Sequence, residues 1–322
     1  LEIEKLLDQA QDRLPRPSGP DVGSLIERKA LTQAYLSHLK QSIDHRFDGL
    51  KVVLDCANGA AFQLAPELFR QLGAEVVVFS GEPDGVNINV RCGSTHPETL
   101  QKMVVQEQAD IGLAFDGDAD RLIAVDETGA VVDGDKIMCI LATYLKEQNE
   151  LAKNTLVTTV MSNIGLFKAT AAHQIETVKT KVGDRYVMEA MRRDGYSLGG
   201  EQSGHIILLK HSTTGDGLLT AVQLVNVLQA KQQSLATLAG IMVQYPQLMT
   251  NVQVEEKDSW EQNETIQAAI SEVEAALGND GRVLVRPSGT EPLIRVMAEG
   301  PDEDELREHV DRIAAVIREE LT

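Results

Sequence analysis

Between residues 51 and 145 the chain alternates β-branched runs with amphipathic ones, and this alternation restricts the fold more than any other feature. "LKVVLDCA" and "AEVVVFS" read as strands, and "AFQLAPELFRQLG" between them as a helix closed by Gly73. "THPETLQKMVVQEQ" reads as a second helix, opened by a capping box of Thr95 and Glu98. The strand "ADIGLAF" follows, then an acidic loop, then the strand "RLIAVDETG" with a turn at its end. Strands separated by helices need crossover connections, and crossovers produce a mostly parallel sheet with helices on its faces.

The alternation starts again at residue 155. "TLVTTV", "IETVKT" and "GHIILLK" read as strands; "GLFKATAAHQ", "DRYVMEAMRRDG" and the long "DGLLTAVQLVNVLQAKQ" read as helices. This second unit matches the first in size, so an internal duplication is expected. After Pro246 the pattern changes to strand, helix, strand pair and helix, with Leu306, Val310, Ile313 and Ile317 along one face of the last helix. The expected fold class is α/β: two similar three-layer α/β domains with mixed sheets, then a smaller α+β C-terminal domain. The corresponding segments are 25–148, 149–246 and 247–322. The chain opens on Leu1, and "LEIEKLLDQ" reads as the end of a helix, so residues 1–24 are expected to be a linker and the remnant of a preceding domain.

Length and composition narrow the function. A chain of 322 residues with 43% hydrophobic and 25% charged content is ordinary for a soluble globular protein. Only 4% of residues are aromatic and the net charge is −19, so neither base stacking nor attraction to a polyanion is available, and no nucleic-acid partner is expected. Cys56, Cys92 and Cys139 are odd in number and far apart. They fit reduced, buried thiols in a cytoplasmic protein better than a disulfide framework or a metal knuckle. No apolar run approaches the roughly 18 residues of a membrane span, and no signal peptide opens the chain, so no membrane partner is expected.

The acidic loop is "LAFDGDADRLIAV", residues 113–125. Alternate residues of an extended chain point the same way, so Asp116, Asp118 and Asp120 would converge and repel one another. A hard divalent cation bound through oxygen would neutralise them, with Mg2+ the expected ion. An EF-hand also begins D-x-D-x-D, and Glu127 stands at its twelfth position, but its sixth position needs Gly and here holds Arg121. The flanks also read as strands rather than helices. A solvated acidic turn without metal, and an aspartyl-phosphate phosphatase, remain alternatives.

Three further loops carry polar chemistry. In "VRPSGTEPLIR", residues 285–295, Arg286 and Arg295 flank Ser288, Gly289 and Thr290, a set of backbone and hydroxyl donors with guanidinium forks that suits a phosphate. In "LGGEQSGHI", residues 198–206, Glu201 and Ser203 suit vicinal hydroxyls, and His205 could move a proton. In "TKVGDRY", residues 180–186, Lys181 and Arg185 flank a strand-to-helix turn, another place for an anion. Each also has a plainer reading: a hairpin turn with surface arginines, a glycine-rich turn over a packed histidine, and a solvated charged helix start.

Taken together and in this order, "DCANGAA", "EPDGVNIN", "CGSTHPE", "DGDADR", "MSNIGL", "KVGDRYV", "GGEQSGHI", "TTGDGLLTA" and "RPSGTEPLIRVM" resemble the α-D-phosphohexomutase superfamily, and within it the bacterial enzymes of glucosamine phosphates. The resemblance spans the whole chain and implies the second, third and fourth of four domains around a deep cleft. The first domain of that family carries a phosphorylated serine; "STHPE" aligns with a different block, so Ser94 is expected to be structural. By resemblance the activity would be exchange of glucosamine 6-phosphate and glucosamine 1-phosphate through a phosphoserine and a bisphosphorylated sugar, feeding cell-wall precursors. Asp116, Asp118 and Asp120 would then hold Mg2+ and Arg121 would brace the phosphoryl group. Lys181 and His205 would serve proton transfer or charge stabilisation, and Arg185, Glu201 and Ser203 the sugar phosphate. Arg286, Ser288, Gly289, Thr290 and Arg295 would grip the phosphate that stays in place. Ala119 stands where the family commonly has Gly, which is harmless if its φ is negative. Phosphomannomutase or phosphoglucomutase activity, and a non-catalytic sugar-phosphate binder, are the competing readings. Monomer and homodimer are both left open.

Overall fold

The computed structural model describes residues 2–8, 15–24, 26, 29–256, 259–288 and 291–321. A short helix α1 (Glu2–Leu7) and the helix α2 (Lys29–Gln41) precede the first sheet. That sheet comprises β1 (Lys51–Asp55), β2 (Glu75–Phe79), β3 (Ile111–Phe115), β4 (Leu122–Asp126) and β5 (Val131–Val132), in the order β2-β1-β3-β4-β5. β1 pairs in parallel with β2 and with β3, whereas β4 and β5 run antiparallel. Strand alternation sends Val52 and Leu54 to one face and Val53 to the other. Helix α4 (Glu98–Glu107) covers Val53 through Leu100 and Val104, and α3 (Ala61–Gln71) covers the opposite face through Leu68 and Phe69. The capping box expected at Thr95 does not form. Pro97 precedes the first helical residue and no side chain caps it, while Thr95 Oγ1 pairs with His96 Nδ1 at 3.1 Å. A proline at this point already lacks the N–H that a cap would satisfy.

The second sheet repeats the first. Helix α5 (Gly134–Glu147) leads to β6 (Thr155–Thr159), α6 (Ile164–Ala172), β7 (Glu176–Thr180), α7 (Asp184–Asp194), β8 (Leu198–Gly200) and β9 (Ile206–Leu208). Its order β7-β6-β8-β9, parallel except for the last strand, matches β2-β1-β3-β4. The strand expected over 204–210 is shorter than expected, and the preceding glycines form its partner β8 rather than a plain turn. Helix α8 (Gly217–Lys231) is buried from Gly217 to Leu228, and its sequence is accordingly mostly apolar, with Thr220, Gln223 and Asn226 as buried polar exceptions. It is followed by α9 (Leu235–Ala239). Leu54, Leu113 and Leu122 of the first unit share one continuous core with Leu156, Leu198 and Ile206 of the second, with α5 and α8 between.

The third unit has its own core. β10 (Gln247–Gln253), β11 (Arg282–Pro287) and β12 (Leu293–Glu299) form an antiparallel sheet in the order β10-β12-β11. α10 (Glu264–Leu277) and α11 (Glu303–Leu321) pack on it, and Leu306, Val310, Ile313 and Ile317 are buried as their spacing predicts. It docks on the second unit through a buried charged pair. Arg282 Nε donates to Glu299 Oε2 at 2.6 Å, while its terminal nitrogens donate to the carbonyls of Val160 (3.1 Å) and Ser162 (2.6 Å). Glu299 Oε2 also accepts from the Ile164 N–H at 2.9 Å. Cys56, Cys92 and Cys139 are buried and unbridged, and no described helix is long and apolar enough to cross a membrane.

Candidate metal and sugar-phosphate site

The acidic loop, residues 116–121, joins the antiparallel pair β3 and β4. Asp116, Asp118 and Asp120 each bring a carboxylate oxygen within 4.8 Å of the others, so they form a group that can hold a metal ion. Asp116 is buried, Asp120 half-buried and Asp118 exposed. The Arg121 N–H donates to Asp116 Oδ1 at 3.1 Å. Arg121 Nε lies 3.6 Å from Asp116 Oδ2 and 3.8 Å from Asp120 Oδ1, too far for hydrogen bonds. Arg121 Nε and Asp120 Oδ1 are therefore both buried without a hydrogen-bond partner, though close enough to attract each other. Burial, with the like charges of Asp120 and Asp118 added, pushes the Asp116 carboxyl up to about 6. One guanidinium cannot neutralise three carboxylates. An oxygen-bound divalent cation would supply the missing charge and a partner for the orphaned Asp120 oxygen, so the residues present fit Mg2+.

The expected negative φ at Ala119 is not found. Its φ is +62°, the left-handed region that glycine occupies freely. Its carbonyl explains the bend: it accepts from the Gly217 N–H at 2.9 Å.

The second glycine-rich loop, residues 201–205, stands at the equivalent place in the second sheet, between β8 and β9. It docks directly on the acidic loop. The Leu122 N–H donates to the Gly204 carbonyl at 3.1 Å, and Arg121 pairs with His205 as an isolated antiparallel bridge. Gly204 has φ +95°, and a Cβ there would collide with the Leu122 carbonyl, so only glycine permits the approach. The His205 ring is 4% exposed within this seam. Its Nδ1 lies 3.0 Å from Asp120 Oδ2, and its Nε2 accepts the Gly215 N–H at 3.2 Å.

Glu201 links in the third loop, because its Oε1 accepts the Gly183 N–H at 2.9 Å. Lys181 and Arg185 sit exposed at this turn, and Arg185 Nε turns along its own helix to Glu189 Oε1 at 2.8 Å. Ser203 is exposed at the tip of its loop. Asp116, Asp118, Asp120, Arg121, Glu201 and His205 thus belong to one connected group with Lys181 and Arg185 at its edge.

Arg286, Ser288 and Arg295 form a second group, on the β11–β12 hairpin. Arg286 and Arg295 face each other in the antiparallel register. Like charges directly opposite repel, and burial together with Arg295 pulls the Arg286 pKa below its ordinary value. Arg295 Nε is buried without a partner, although its Nη2 lies 3.6 Å from Glu291 Oε2. Ser288 is buried, and its Oγ accepts the Glu291 N–H at 3.3 Å. A facing arginine pair with an orphaned nitrogen suits an anion. Gly289 and Thr290 lie outside the described residues.

Two supports escaped the sequence reading. Tyr35 of α2 donates to both oxygens of Asp216 at 2.8 and 2.9 Å, and Asp216 caps α8 by accepting the Leu219 N–H at 2.9 Å. A cavity of about 260 Å³ lies behind the acidic loop, lined among others by Tyr35, Asp118, Asp120, Gly215 and Asp216. The aspartate ahead of an apolar helix was a readable cap signal. Its partner 181 residues away was not.

Models of the phosphoglucomutase/phosphomannomutase family match consecutive stretches: α/β/α domain II residues 33–129, α/β/α domain III residues 133–245 and the C-terminal domain residues 249–316. Among solved structures, a phosphoglucomutase/phosphomannomutase family protein of Burkholderia thailandensis is similar with a TM-score of 0.74 at 25% identity, over 90% of this chain and 64% of that one. N-acetylphosphoglucosamine mutase of Aspergillus fumigatus, in complex with GlcNAc-6P and magnesium, shares the fold with a TM-score of 0.70 at 21% identity, again over 90% and 64%. The chain thus spans 64% of the length of these two solved chains. Phosphoglucosamine mutases of Brevibacillus brevis and Geobacillus thermodenitrificans are each 55% identical over 320 residues, 99% of this chain and 71% of theirs. At that identity over that length, the chain belongs to the phosphoglucosamine mutase family.

Proposed function

We propose that this chain carries the cation and sugar-phosphate sites of an enzyme that interconverts glucosamine 6-phosphate and glucosamine 1-phosphate in the cytoplasm. Its functional units run 25–148, 149–246 and 247–322. The observation that carries the reading is the seam in which the acidic loop of the first sheet and the glycine-rich loop of the second are bonded backbone to backbone, with an orphaned carboxylate oxygen between them. Asp116, Asp118 and Asp120 would hold Mg2+, which when bound draws negative charge from a phosphoryl group in transfer. Arg121 braces that group from the same loop. Glu201 and Ser203 orient the sugar hydroxyls, and Lys181 and Arg185 supply positive charge at the edge. Arg286, Ser288 and Arg295, with Gly289 and Thr290, hold the phosphate at the other end of the sugar. A sugar gripped at both ends fits a reaction in which a bisphosphorylated intermediate turns over and presents each phosphate in succession. The phosphoserine of that reaction would come from outside these 322 residues, so the chain alone is expected to bind substrate without isomerising it.

Titration calorimetry on this chain tests the reading. Asp118→Asn removes one ligand charge and is expected to weaken Mg2+ binding, with glucosamine 6-phosphate affinity less affected. Arg295→Ala is expected to do the reverse, weakening the sugar phosphate by about 1.5–3 kcal/mol, the range for a hydrogen bond to a charged group. Exchanged effects would show the two sites to be swapped. Stronger binding of mannose 6-phosphate or glucose 6-phosphate would overturn the hexosamine assignment.

A further inference from the structure

We propose that Tyr35 is a positioning residue for the cation site: through Asp216 its hydroxyl fixes the connection between β9 and α8, and the Gly217 N–H at the end of that connection holds Ala119 between two of the carboxylates. The inference rests on the reading of the acidic loop as a Mg2+ site and gives a part in it to α2, a helix that lies outside both sheets.

The chain of contacts starts at Ala119. Its φ of +62° is costly for a residue with a side chain, and such angles persist only where the surroundings over-determine them. The fixing contact is the Gly217 N–H, which donates to the Ala119 carbonyl at 2.9 Å. Gly217 packs so closely that a Cβ on it would overlap the carbonyls of Ala119 and Arg121. Ala119 stands between Asp118 and Asp120, so a turn of its peptide units re-aims both carboxylates.

Gly217 is in turn placed by the residue before it. Asp216 has extended backbone, φ −151° and ψ 108°, and its Oδ1 accepts the Leu219 N–H at 2.9 Å, the ordinary duty of a helix cap. That bond alone leaves the carboxylate free to turn about its own axis. The Tyr35 hydroxyl removes this freedom by donating to Oδ1 and Oδ2 at 2.8 and 2.9 Å.

Tyr35 can serve as an anchor because α2 is itself seated at several points. Leu36 and Leu39 are fully buried. On the face that carries Tyr35, His38 Nε2 lies 2.9 Å from the His211 carbonyl, and Gln223 Nε2 donates to the Ser42 carbonyl, just past the helix end, at 2.7 Å. Residues 35, 38 and 42 follow the helical repeat, and their contacts 216, 211 and 223 all lie on the connection or on α8. The helix is a splint laid across that connection, with Tyr35 at the end nearest the acidic loop.

Calorimetry with Mg2+ on this chain tests the role. Tyr35→Phe keeps the ring and removes the hydroxyl. It is expected to bind Mg2+ about 3–30-fold more weakly, within the span of effects that residues touching no ligand transmit through packed networks. Gln223→Leu is the control for general loosening: it cuts α2 from α8 beyond the connection, and is expected to lower the melting temperature without changing Mg2+ affinity. Unchanged affinity in Tyr35→Phe would overturn the role, and so would an equal loss in Gln223→Leu. Coupling between sites is reciprocal, so Mg2+ added to the unsubstituted chain is expected to slow hydrogen exchange of the Gly217 amide. An unchanged exchange rate would overturn the role even where a variant does not fold. An unsubstituted chain that binds no Mg2+ would overturn the metal reading of the loop itself, and the role built on it.

Discussion

Ala119 holds a backbone angle that side-chain-bearing residues seldom adopt, at the tightest point of the acidic loop. Left-handed geometry costs an ordinary residue roughly 1–2 kcal/mol, and an alanine gains back about 0.4–1 kcal/mol over glycine by restricting the unfolded chain. Ala119→Gly is therefore expected to be neutral or to stabilise by up to about 1.6 kcal/mol, measured as a shift in urea midpoint. A loss approaching that of an ordinary alanine-to-glycine change in a helix, about 0.5–1 kcal/mol, would contradict it. The chemistry of this loop was legible residue by residue, because spacing alone places three carboxylates together. The strain was not, since φ at residue 119 is set by a carbonyl that must reach Gly217, 98 positions away. His205 shows the same division. Its presence in a polar loop was readable, but the Gly215 N–H that meets its Nε2 belongs to another connection.

At the scale of elements, the two sheets are built to one plan, and each places its polar loop between the third and fourth strands of that plan. Periodicity displayed most of this plan in the sequence, since buried strands and amphipathic helices differ in period. It missed the short strand β8, whose two glycines resemble a turn when read alone, and it supplied a cap for α4 that Pro97 makes unnecessary. One buried group joins α5 to the start of α6. Asp135 is fully buried and its Oδ2 accepts the Asn163 N–H at 2.7 Å. Burial, with the charge of Asp133 added, pushes its carboxyl up to about 8. An unfolded aspartate titrates near 3.9, so between about pH 4 and 8 the folded state binds the extra proton. The stabilisation is complete below pH 4 and is lost as pH rises through 8, with a slope of at most about 1.4 kcal/mol per pH unit. Asp116, raised to about 6, adds a loss of the same sign at lower pH. Urea unfolding at pH 6.5 and 8 isolates Asp135: Asp135→Asn is expected to lose less stability over that interval than the unsubstituted chain. Equal losses would remove Asp135 as the cause.

At the scale of the whole molecule, two units share a core and the third is docked by polar contacts. The start of the third unit was legible in the change of pattern at Pro246; that the first two units share one core was not. The docking was not, because nothing local marks Arg282 and Glu299 as buried partners. Arg282→Met would leave Glu299 buried without its cation, and breaking such a pair costs about 3–5 kcal/mol. Adding Glu299→Gln removes the stranded charge while keeping an acceptor for the Ile164 N–H, and is expected to restore part of the loss. Calorimetric unfolding of both variants checks this, and a double variant no more stable than Arg282→Met would show that the charge is not the cause.

The position of this pair along its hairpin has a mechanical consequence. Arg282 opens β11 and Glu299 closes β12, so they sit together at one end, while the paired Pro287 and Ile294 are at the other, next to the phosphate grip proposed above. The 6 residues of β11, at about 3.3 Å each, set the two ends roughly 17–20 Å apart. β12 pairs along its length with both β10 and β11, so the hairpin moves only with its whole sheet, and the salt bridge marks where that sheet meets the second unit. A pivot of a few degrees there, well within what side-chain hydrogen bonds tolerate, would carry the tip through an ångström or more (roughly 1.5 Å for 5°, from the same strand rise). The phosphate grip proposed above would then follow a sugar that reverses end for end by movement of the third unit as one body.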